Sequence, residues 1–578
     1  MKERCHELQP GDDARRGNAR TTAQPGSPGT TCTARDQELA VDAGALHVTS
    51  RRTEQALIPA LSFEPLSPVS FLDRSAAVFP ERTAVIDGDQ RFTYAELHDR
   101  CRRLAGVLAA LANGRPVAVL APNTHVMLET HYGVPWSGAP LVTINTRLSA
   151  PEVRYILEHS ESAVLLQDPQ FDDLVATAID GMTHPPLIVR AGPGDDGAYE
   201  QLLAAAEPRA VPPVDERALL SVNYTSGTTG RPKGVMYHHR GAYLQALAMV
   251  THTQLSAVSA YLWTLPMFHC NGWSFPWAVT AAGGTHVCLP KVEASEIWRH
   301  IHGEHITHLC GAPAVLSMVV NAPEAKRESD GVIHFLTGGA PPSPTLLAAA
   351  EALRIDVTHL YGLTETFGPA VLCDWHPEWD GLDAAEQSRL RARQGVANII
   401  GLTARVVDKD KDVPADGTTV GEIRLRGNNL MLGYFKDDAA TAAAAPDGWF
   451  RTGDLGVRHP DGYIELRDRS KDVIISGGEN ITSIEVEQAI ASHPAVLEVA
   501  VVGAPDDRWG EVPVAYVVLR PDAVVPEQDI IDHVKSRIAR FKAPKRVVFG
   551  ELPRTSTGKI QKYLLREGER AASDDRIS

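Results

Sequence analysis

The chain has 578 residues, of which 43% are hydrophobic and 22% charged, and its formal net charge is −16. One hydrophobic core rarely supports this length, so we expect a large domain and at least one smaller one. The acidic balance argues against a nucleic-acid-binding protein, because neutralising phosphates requires a basic surface, and no apolar run approaches the roughly 20 residues of a membrane-spanning helix.

The N-terminal segment, residues 1–59, is rich in Gly, Pro, Thr, Arg and Asp and has no hydrophobic periodicity. We expect it to form a disordered leader, because it cannot bury enough apolar surface to offset its ordering entropy. Its first twenty residues are charged and lack an apolar segment, so no secretory signal is expected. The seven cysteines are scattered without a CxxC pair, which argues against a disulfide framework or a structural zinc site. These features predict a cytoplasmic protein.

The first clear element is a helix in FTYAELHDRCRRLAGVLAAL, at residues 92–111. Thr93 and Glu96 have the spacing of a capping box, and apolar residues from Leu97 onward repeat at helical spacing. Short apolar runs then alternate with segments of helical length such as residues 150–161. The runs lie at residues 116–123, 140–145, 162–168 and 185–191. This alternation predicts parallel sheets covered by helices, so we assign residues 60–470 to one large α/β domain with several subdomains.

The last hundred residues predict a small α+β domain at residues 471–565, followed by a tail at residues 566–578. Helices are expected at residues 481–494, where Thr482 and Glu485 have capping-box spacing, and at residues 527–542. Strands are expected at residues 497–506, 512–522 and 547–552.

A loop rich in glycine and hydroxyl groups, YTSGTTGRPKG at residues 224–234, follows the apolar run ALLSVNY. Its glycines let the backbone approach a ligand closely, its N–H and hydroxyl groups can donate to phosphate oxygens, and Lys233 adds positive charge. Because Lys233 precedes Gly234 rather than Ser or Thr, the loop is not a Walker A motif. The pattern indicates polyphosphate binding; a surface turn with a solvated lysine is the alternative.

Further motifs follow this loop along the chain. They are GGAP at residues 338–341, YGLTET at 361–366, TGDL at 452–455, RDRSKD at 467–472, SGGEN at 476–480 and PRTSTGK at 553–559. Together they resemble the acyl-adenylate-forming superfamily of acyl-CoA synthetases, nonribosomal adenylation domains and luciferases. The resemblance covers residues 67–562 and implies a large N-terminal adenylate-forming domain with a small, mobile C-terminal domain.

The resemblance implies a set of nucleotide-binding residues. The ATP phosphates would contact Thr225, Ser226, Gly227, Thr228, Thr229 and Lys233. The adenine would lie against Gly338, Gly339, Ala340, Pro341, Tyr361 and Gly362. Asp454 and Arg469 would lie at the ribose, whose diol can donate to the two acceptor oxygens of a carboxylate.

The resemblance also implies catalytic residues. Glu365 would bind Mg²⁺, since a carboxylate suits this hard cation, and Thr364 would contact the α-phosphate. Lys559 would bridge the acid's carboxylate and the α-phosphate, stabilising negative charge as the adenylate forms. Lys471 would be the hinge of the C-terminal domain. The pantetheine of coenzyme A (CoA) would lie along Ser476, Gly477 and Gly478.

The segment PMFHCNGW, residues 266–273, lies where this superfamily places the lining of its acyl pocket. It resembles acyl-CoA synthetases for short-to-medium-chain or aryl acids, including the methylmercaptopropionate and plant acyl-activating branches. Bulky Phe268 and Trp273 predict a pocket of modest depth, with Gly339 and the candidate catalytic residue His269 beside it. Core packing of the aromatic residues and a buried structural histidine are the alternatives.

The resemblance therefore implies an ATP- and Mg²⁺-dependent carboxylic acid:CoA ligase that releases AMP. Its partners would be a small-molecule acid, ATP and CoA. Two other functions stay open: a ligase that loads the phosphopantetheine of an acyl carrier protein, and a non-catalytic homologue that binds acyl or nucleotide ligands. Amino-acid activation and luciferase-like oxidation have no supporting residues.

Overall fold

A computed structural model describes residues 64–192, 197–213, 215–225, 232–326, 331–338, 342, 344–401, 403–506, 508–554 and 560–577. The predicted leader at residues 1–59 lies outside these residues. None of the described helices is long and apolar enough to cross a membrane.

Helices occur along the whole described chain. In chain order they are α1 Ser70–Val78, α2 Tyr94–Ala112, α3 His125–Trp136, α4 Ala150–Ser160, α5 Asp172–Ile179, α6 Ala198–Ala204, α7 His239–Thr253, α8 Cys270–Trp273, α9 Phe275–Ala282, α10 Ala294–Gly303, α11 Pro313–Val320, α12 Pro344–Ala352, α13 Ala384–Arg391, α14 Asp438–Ala444, α15 Ser483–Ala491, α16 Glu527–Lys535 and α17 Lys562–Ile577. Of these, α8 is a single turn with a left-handed backbone.

Strands alternate with these helices. In chain order they are β1 Thr83–Asp87, β2 Gln90–Thr93, β3 Val117–Leu120, β4 Leu141–Thr143, β5 Val164–Gln167, β6 Leu187–Arg190, β7 Leu219–Tyr224, β8 Gly234–His238, β9 Ala260–Leu262, β10 Thr285–Val287, β11 His308–Gly311, β12 Ile333–Gly338, β13 Ile355–Leu363, β14 Gly368–Leu372, β15 Val396–Ala397, β16 Thr403–Asp408, β17 Lys411–Asp412, β18 Gly421–Arg426, β19 Gly433–Tyr434, β20 Phe450–Arg458, β21 Ile464–Arg469, β22 Ile474–Ser476, β23 Glu479–Ile481, β24 Val496–Asp506, β25 Gly510–Leu519 and β26 Arg546–Phe549.

Within the described residues the strands form four sheets. The first has the order β15-β14-β13-β12-β11-β9-β10-β1-β2, and the second has the order β19-β8-β7-β4-β3-β5-β6. Both are parallel in their central parts, as the alternation of apolar runs and helices predicted. A third, antiparallel sheet has the order β17-β16-β18-β20-β21.

Two helices pack between the large sheets. The predicted capping box of α2 is confirmed: Glu96 N donates to Thr93 Oγ1 at 3.2 Å, and Thr93 N donates to Glu96 Oε2 at 2.7 Å.

Helix α3 contacts β1 of one large sheet and β3 and β4 of the other, and all of its residues are buried. This double contact explains why α3 is apolar around its whole circumference, since a helix between two sheets has no face toward water.

The fourth sheet belongs to the small C-terminal domain and has the order β23-β22-β25-β24, with β26 paired to β25. The third sheet ends at Arg469 and β22 begins at Ile474. The predicted helix at residues 527–542 is shorter, because α16 ends at Lys535. The predicted strand at residues 547–552 is shifted, since β26 spans residues 546–549.

The capping box predicted at Thr482 and Glu485 is wrong. Thr482 makes no side-chain cap, and Glu485 instead binds Lys542 Nζ through both carboxylate oxygens, at 2.8 and 2.6 Å. Asp468 caps the helix instead: its carboxylate accepts from Ser483 N at 2.5 Å and from Ser483 Oγ at 3.1 Å. Lys542 thus binds the carboxylate that the capping box would have used, and Asp468 caps the helix in place of Thr482. Both contacts involve a charged group, and such hydrogen bonds are stronger than neutral ones.

The segment expected to be a tail is helical as far as Ile577, as part of α17. Glu569 in this helix is 7% exposed and accepts hydrogen bonds from Tyr516 and Arg546. The helix therefore packs on the C-terminal sheet through a buried carboxylate, which requires such partners.

Candidate active site

The two ends of the predicted phosphate loop lie on paired strands. Strand β7 ends at Tyr224, which pairs with Gly234 at the start of β8, and Thr225 N donates to Lys233 O at 3.0 Å. The loop ends are thus held together, while the predicted phosphate ligands Ser226, Gly227, Thr228 and Thr229 lie outside the described residues. Lys233 is exposed, with its Nζ 4.7 Å from the centre of the Tyr434 ring.

Tyr434 joins the phosphate loop to the predicted metal ligand. Its hydroxyl donates to Glu365 Oε1 at 2.7 Å, while its ring faces Lys233. Burial and the neighbouring Glu365 carboxylate raise the pKa of Tyr434 well above its usual value, so the hydroxyl stays a donor at neutral pH. Sequence reasoning missed Tyr434, because a contact across 69 residues leaves no local pattern.

The backbone around Glu365 is also held from several directions. Met431 N donates to Glu365 O at 2.9 Å, and Tyr237 OH donates to Thr364 O at 2.6 Å. The Tyr237 ring stacks on Phe367, with ring centroids 4.0 Å apart. Thr364 and Glu365 are therefore presented by a turn with little freedom to move.

A single Mg²⁺ fits this donor set. Magnesium is usually held by one or two carboxylates and by phosphate oxygens rather than by a cage of protein ligands. Tyr434 donates to only one oxygen of the Glu365 carboxylate. Among the described residues there is no group of three or more His, Cys, Asp or Glu that could form a cage.

The predicted ribose-binding residues meet at one buried carboxylate. Asp454 is 3% exposed; its Oδ2 accepts from Tyr361 OH at 2.6 Å, and Arg469 Nε lies 3.3 Å from its Oδ1. Burial and Asp454 raise the pKa of Tyr361 far above its usual value, so Tyr361 remains a donor. Three residues from separate motifs are thus brought together.

Two predicted nucleotide-binding glycines lie on adjacent strands. A Cβ at Gly362 would lie 1.9 Å from Gly368 O, and a Cβ at Gly338 would lie 2.6 Å from Leu360 Cδ1. Close packing of β13 and β14 therefore requires glycine at position 362, whereas a Cβ at position 338 would mainly displace the end of the Leu360 side chain. The neighbouring Gly339, Ala340 and Pro341 lie outside the described residues.

Five consecutive residues with left-handed backbone begin in the predicted acid-binding segment and end one residue beyond it. The φ angles are 49° at Cys270, 47° at Asn271, 55° at Gly272, 55° at Trp273 and 67° at Ser274. The left-handed region costs about 1–2 kcal/mol for each residue other than glycine. Such a run persists only where its surroundings hold it in place.

This turn packs against the segment that carries Glu365. A Cβ at Gly368 would lie 2.8 Å from Trp273 Cδ1, and Cys270 Sγ lies 3.7 Å from Thr364 Oγ1. Trp273 is 8% exposed and belongs to the largest core cluster, whereas Phe268 and His269 are half-buried. The ring nitrogens of His269 lie 3.8 and 3.9 Å from Cys270 Sγ. Trp273 thus has the burial expected of core packing and also contacts the candidate site.

The predicted hinge lies in a dense cluster of charges. Lys471 is exposed between β21 and β22. Asp468, before it, binds Ser483 of the C-terminal domain; Asp472, after it, binds Arg566. Lys562 Nζ donates to Ser483 Oγ at 2.7 Å and pairs with Glu487 at 2.7 Å. Hydrogen bonds to Asp468 therefore cross the predicted hinge.

The predicted pantetheine-binding glycines form the turn between β22 and β23. Gly477 and Gly478 have φ angles of 62° and 87°, and Gly477 N donates to Trp509 O at 2.7 Å. Ser476 pairs with Gly510 in the neighbouring strand. The turn is exposed at both glycines, so a long, narrow ligand can reach its backbone.

The predicted catalytic Lys559 lies outside the described residues. The chain on either side of it is described: Arg554 pairs with Ile560 in an isolated bridge, and Gln561 N donates to Pro553 O at 2.8 Å. The loop that carries Lys559 is therefore closed at its base, next to the start of α17.

Comparison with known proteins identifies two family matches. The AMP-binding enzyme family matches residues 72–435, and the AMP-binding enzyme C-terminal domain matches residues 485–559. An acetate–CoA ligase of Humulus lupulus is 45% identical over 540 residues, covering 88% of this chain and 95% of the relative. A peroxisomal acetate/butyrate–CoA ligase of Arabidopsis thaliana is 44% identical, with coverage of 88% and 95%. A peroxisomal trans-cinnamate:CoA ligase of Petunia hybrida is 41% identical, with coverage of 88% and 94%.

Solved structures show the same fold. ATP-bound MatB from Rhodopseudomonas palustris superimposes with a TM-score of 0.76 at 29% identity, covering 86% of this chain and 98% of that one. A fatty acyl CoA synthetase of Mycobacterium tuberculosis is 34% identical with a TM-score of 0.67, covering 88% and 99%.

Proposed function

The chain belongs to the AMP-binding enzyme family, and from this premise we propose that it activates a short-to-medium-chain or aryl carboxylic acid. It is an AMP-forming carboxylic acid:CoA ligase that uses ATP, Mg²⁺ and CoA. The observation that carries the substrate proposal is the turn at residues 270–274, whose Trp273 packs against Gly368, three residues after Glu365, so that its indole would limit the length of the acid.

The names of the relatives support this range of acids. They include ligases for acetate, for acetate or butyrate, for 2-methylpropanoate and for trans-cinnamate. These acids are short, branched or aryl, and a pocket bounded by an indole suits each class.

In the first half-reaction the acid's carboxylate oxygen attacks the α-phosphorus of ATP, and pyrophosphate leaves. Asp454, oriented by Tyr361, would accept from the ribose hydroxyls, and Lys233 and Thr225 would contact the phosphates. Glu365 would hold Mg²⁺, which neutralises phosphate charge when bound. Lys559 would stabilise the charge that develops as the two anionic groups meet.

In the second half-reaction the CoA thiol attacks the carbonyl carbon of the adenylate, and AMP leaves. The exposed turn of Ser476, Gly477 and Gly478 would guide the pantetheine. We assign Lys471 as the pivot of the mobile C-terminal domain, residues 471–565. Rotation about this pivot would withdraw Lys559 from the active site and bring the turn at residues 476–478 to it. The break between β21 and β22 supports this assignment.

The experiment that tests this function follows both half-reactions over a panel of acids. Acetate, butyrate, octanoate, benzoate and cinnamate would be compared by pyrophosphate release and by acyl-CoA formation. We expect activity to be highest for one of the shorter or aryl acids. Preference for a long-chain acid such as palmitate, added to the panel, over all of the others would contradict the proposed acid class.

The variant Lys559→Ala separates the two steps. It should lose adenylation by about a hundredfold or more, yet convert supplied acyl-adenylate and CoA to the thioester at nearly the wild-type rate. Lys545→Ala is the matched control, because Lys545 is an exposed lysine that also belongs to the C-terminal domain. Equal losses in both steps would contradict the role given to Lys559.

An acyl carrier protein is the alternative acceptor, since its phosphopantetheine carries the same thiol as CoA. Incubation with CoA or with a holo carrier protein in parallel would separate these acceptors, and we expect transfer to CoA. ATP/pyrophosphate exchange would exclude the non-catalytic alternative.

We propose a cytoplasmic location. The five cysteines that the structure describes are buried and form no disulfide bonds, which fits a reducing compartment. Three of the plant relatives are named as peroxisomal, so a fluorescent fusion imaged with a peroxisomal marker is the appropriate test.

A further inference from the structure

A pair of buried asparagines holds the left-handed turn at residues 270–274. Asn271 N donates to Asn223 Oδ1 at 3.1 Å, and Asn223 Nδ2 donates to Asn271 Oδ1 at 2.6 Å. Ser221 Oγ also donates to Asn271 Oδ1, at 2.8 Å. Asn271 is completely buried and Asn223 is 2% exposed.

The orientation of both side-chain amides follows from one backbone group. Because Asn271 N–H can only donate, the side chain of Asn223 must turn its oxygen toward it. Its nitrogen then faces Asn271, whose side chain must present its own oxygen in turn. The Nδ2 of Asn271 is left buried without a hydrogen-bond partner among the described residues. The two side-chain amides therefore have one orientation that forms both hydrogen bonds, and these bonds hold the backbone at Asn271 in place.

The anchor of this pair is the sheet that carries the phosphate loop. Asn223 lies on β7, two residues before Thr225. Thr143 on β4 donates from its Oγ1 to Phe268 O at 2.8 Å, which holds the chain just before the turn. One side of the turn is thus bound to the β7 sheet, while Trp273 on its other side packs against Gly368 of the β14 sheet.

Residue type supports the same conclusion. Asparagine is one of the few residues that adopt the left-handed region readily, and its amide both accepts from and donates to a partner. Cys270, Trp273 and Ser274 have no such preference, so they depend on the contacts that hold the turn, among them those of Asn271, to stay in this region. If the turn relaxed to a right-handed backbone, the direction of the Trp273 side chain would change.

We propose that Asn271 is a positioning residue that sets the preferred acid length, by holding Trp273 against Gly368. The inference rests on the proposed function, in which Trp273 bounds the acid pocket. Asn271 acts through the backbone of the turn and does not touch the reacting atoms.

The test compares two variants of Asn271. Asn271→Ala removes both the amide and the left-handed preference, whereas Asn271→Gly keeps a backbone that tolerates positive φ. The ratio of kcat/KM for octanoate to that for butyrate should rise at least tenfold in Asn271→Ala, mainly through the KM for the acid. The rise should be smaller in Asn271→Gly, and the KM for ATP should stay within about twofold of wild type.

Two controls separate positioning from general damage. Gln167→Ala removes another buried amide of the same sheet, bonded to Asp172, and should lower the melting temperature without changing the acid ratio. If the asparagines act as a unit, Asn223→Ala combined with Asn271→Ala should change the ratio no more than Asn271→Ala alone.

An unchanged acid ratio in an Asn271→Gly variant that melts cooperatively and binds ATP would overturn the inference. A wild-type enzyme without acid-dependent pyrophosphate release would instead contradict the proposed function. If the wild-type enzyme discriminates between the acids and the Asn271 variants keep its octanoate-to-butyrate ratio of kcat/KM, the role of Asn271 is refuted and the proposed function stands.

Discussion

The contact between Tyr434 and Glu365 allows a quantitative prediction about Mg²⁺. Tyr434→Phe deletes the hydroxyl that donates to Glu365 Oε1 at 2.7 Å. The ring is kept, so its contact with Lys233 and its packing at 9% exposure remain. The substitution therefore removes one interaction of the Glu365 carboxylate and leaves the surrounding shape unchanged.

The size of the effect follows from the charge on Glu365. A hydrogen bond to a charged group contributes about 1.5–3 kcal/mol, which corresponds to roughly a tenfold to 150-fold change in an equilibrium constant. Loss of a partner that orients a metal ligand typically weakens metal binding about 10- to 100-fold. We therefore expect the Mg²⁺ concentration for half-maximal activity to rise by one to two orders of magnitude.

The assay is pyrophosphate release, titrated with Mg²⁺ at a fixed, saturating ATP concentration. Tyr463→Phe is the matched control, because it removes a buried tyrosine hydroxyl that binds Asp374 O, away from Glu365. This control should titrate like wild type. A Tyr434→Phe enzyme with the wild-type Mg²⁺ midpoint would refute the proposal that Tyr434 orients a metal ligand.

Three further predictions concern the acid, the hinge and pH. Trp273→Ala should shift the preferred acid toward longer chains, since each added methylene contributes about 0.8 kcal/mol when buried; lower stability with an unchanged preference would favour core packing alone. Asp468→Asn weakens the cap at Ser483 across the proposed pivot and should change the ratio of the adenylation rate to the thioester-forming rate roughly tenfold or more. An equal decrease in both rates would exclude a role of Asp468 in the hinge. The melting temperature should fall as the pH is lowered from about 6.5 to about 4, because burial lowers the pKa of several histidines, so that the unfolded chain takes up protons which the folded chain does not. These pKa values are about 4 for His131, His239, His308 and His359 and about 3 for His286. A melting temperature that stays constant over this range would show that these histidines are not neutral in the folded protein.

Patterns in the sequence were sufficient to predict the fold class and the reaction type. Apolar runs such as residues 116–123 and 140–145 alternate with helices and became neighbouring parallel strands, because burial on both faces leaves a continuous apolar pattern. The capping box of Thr93 and Glu96 formed as predicted, because it involves residues three apart. The ordered motifs indicated an acid:CoA ligase, since the family keeps these groups at recognisable positions along the chain.

Which distant side chains contact each other is evident only in the folded protein. Thr482 and Glu485 have the same local pattern as Thr93 and Glu96, yet Lys542, 57 residues away, binds Glu485. Tyr434 reaches Glu365 across 69 residues, and Asn223 reaches Asn271 across 48. Local patterns encode only hydrogen bonds within about one helical turn. Contacts between distant residues, and a left-handed turn that is unfavourable in isolation, arise only when the packed sheets bring their partners together.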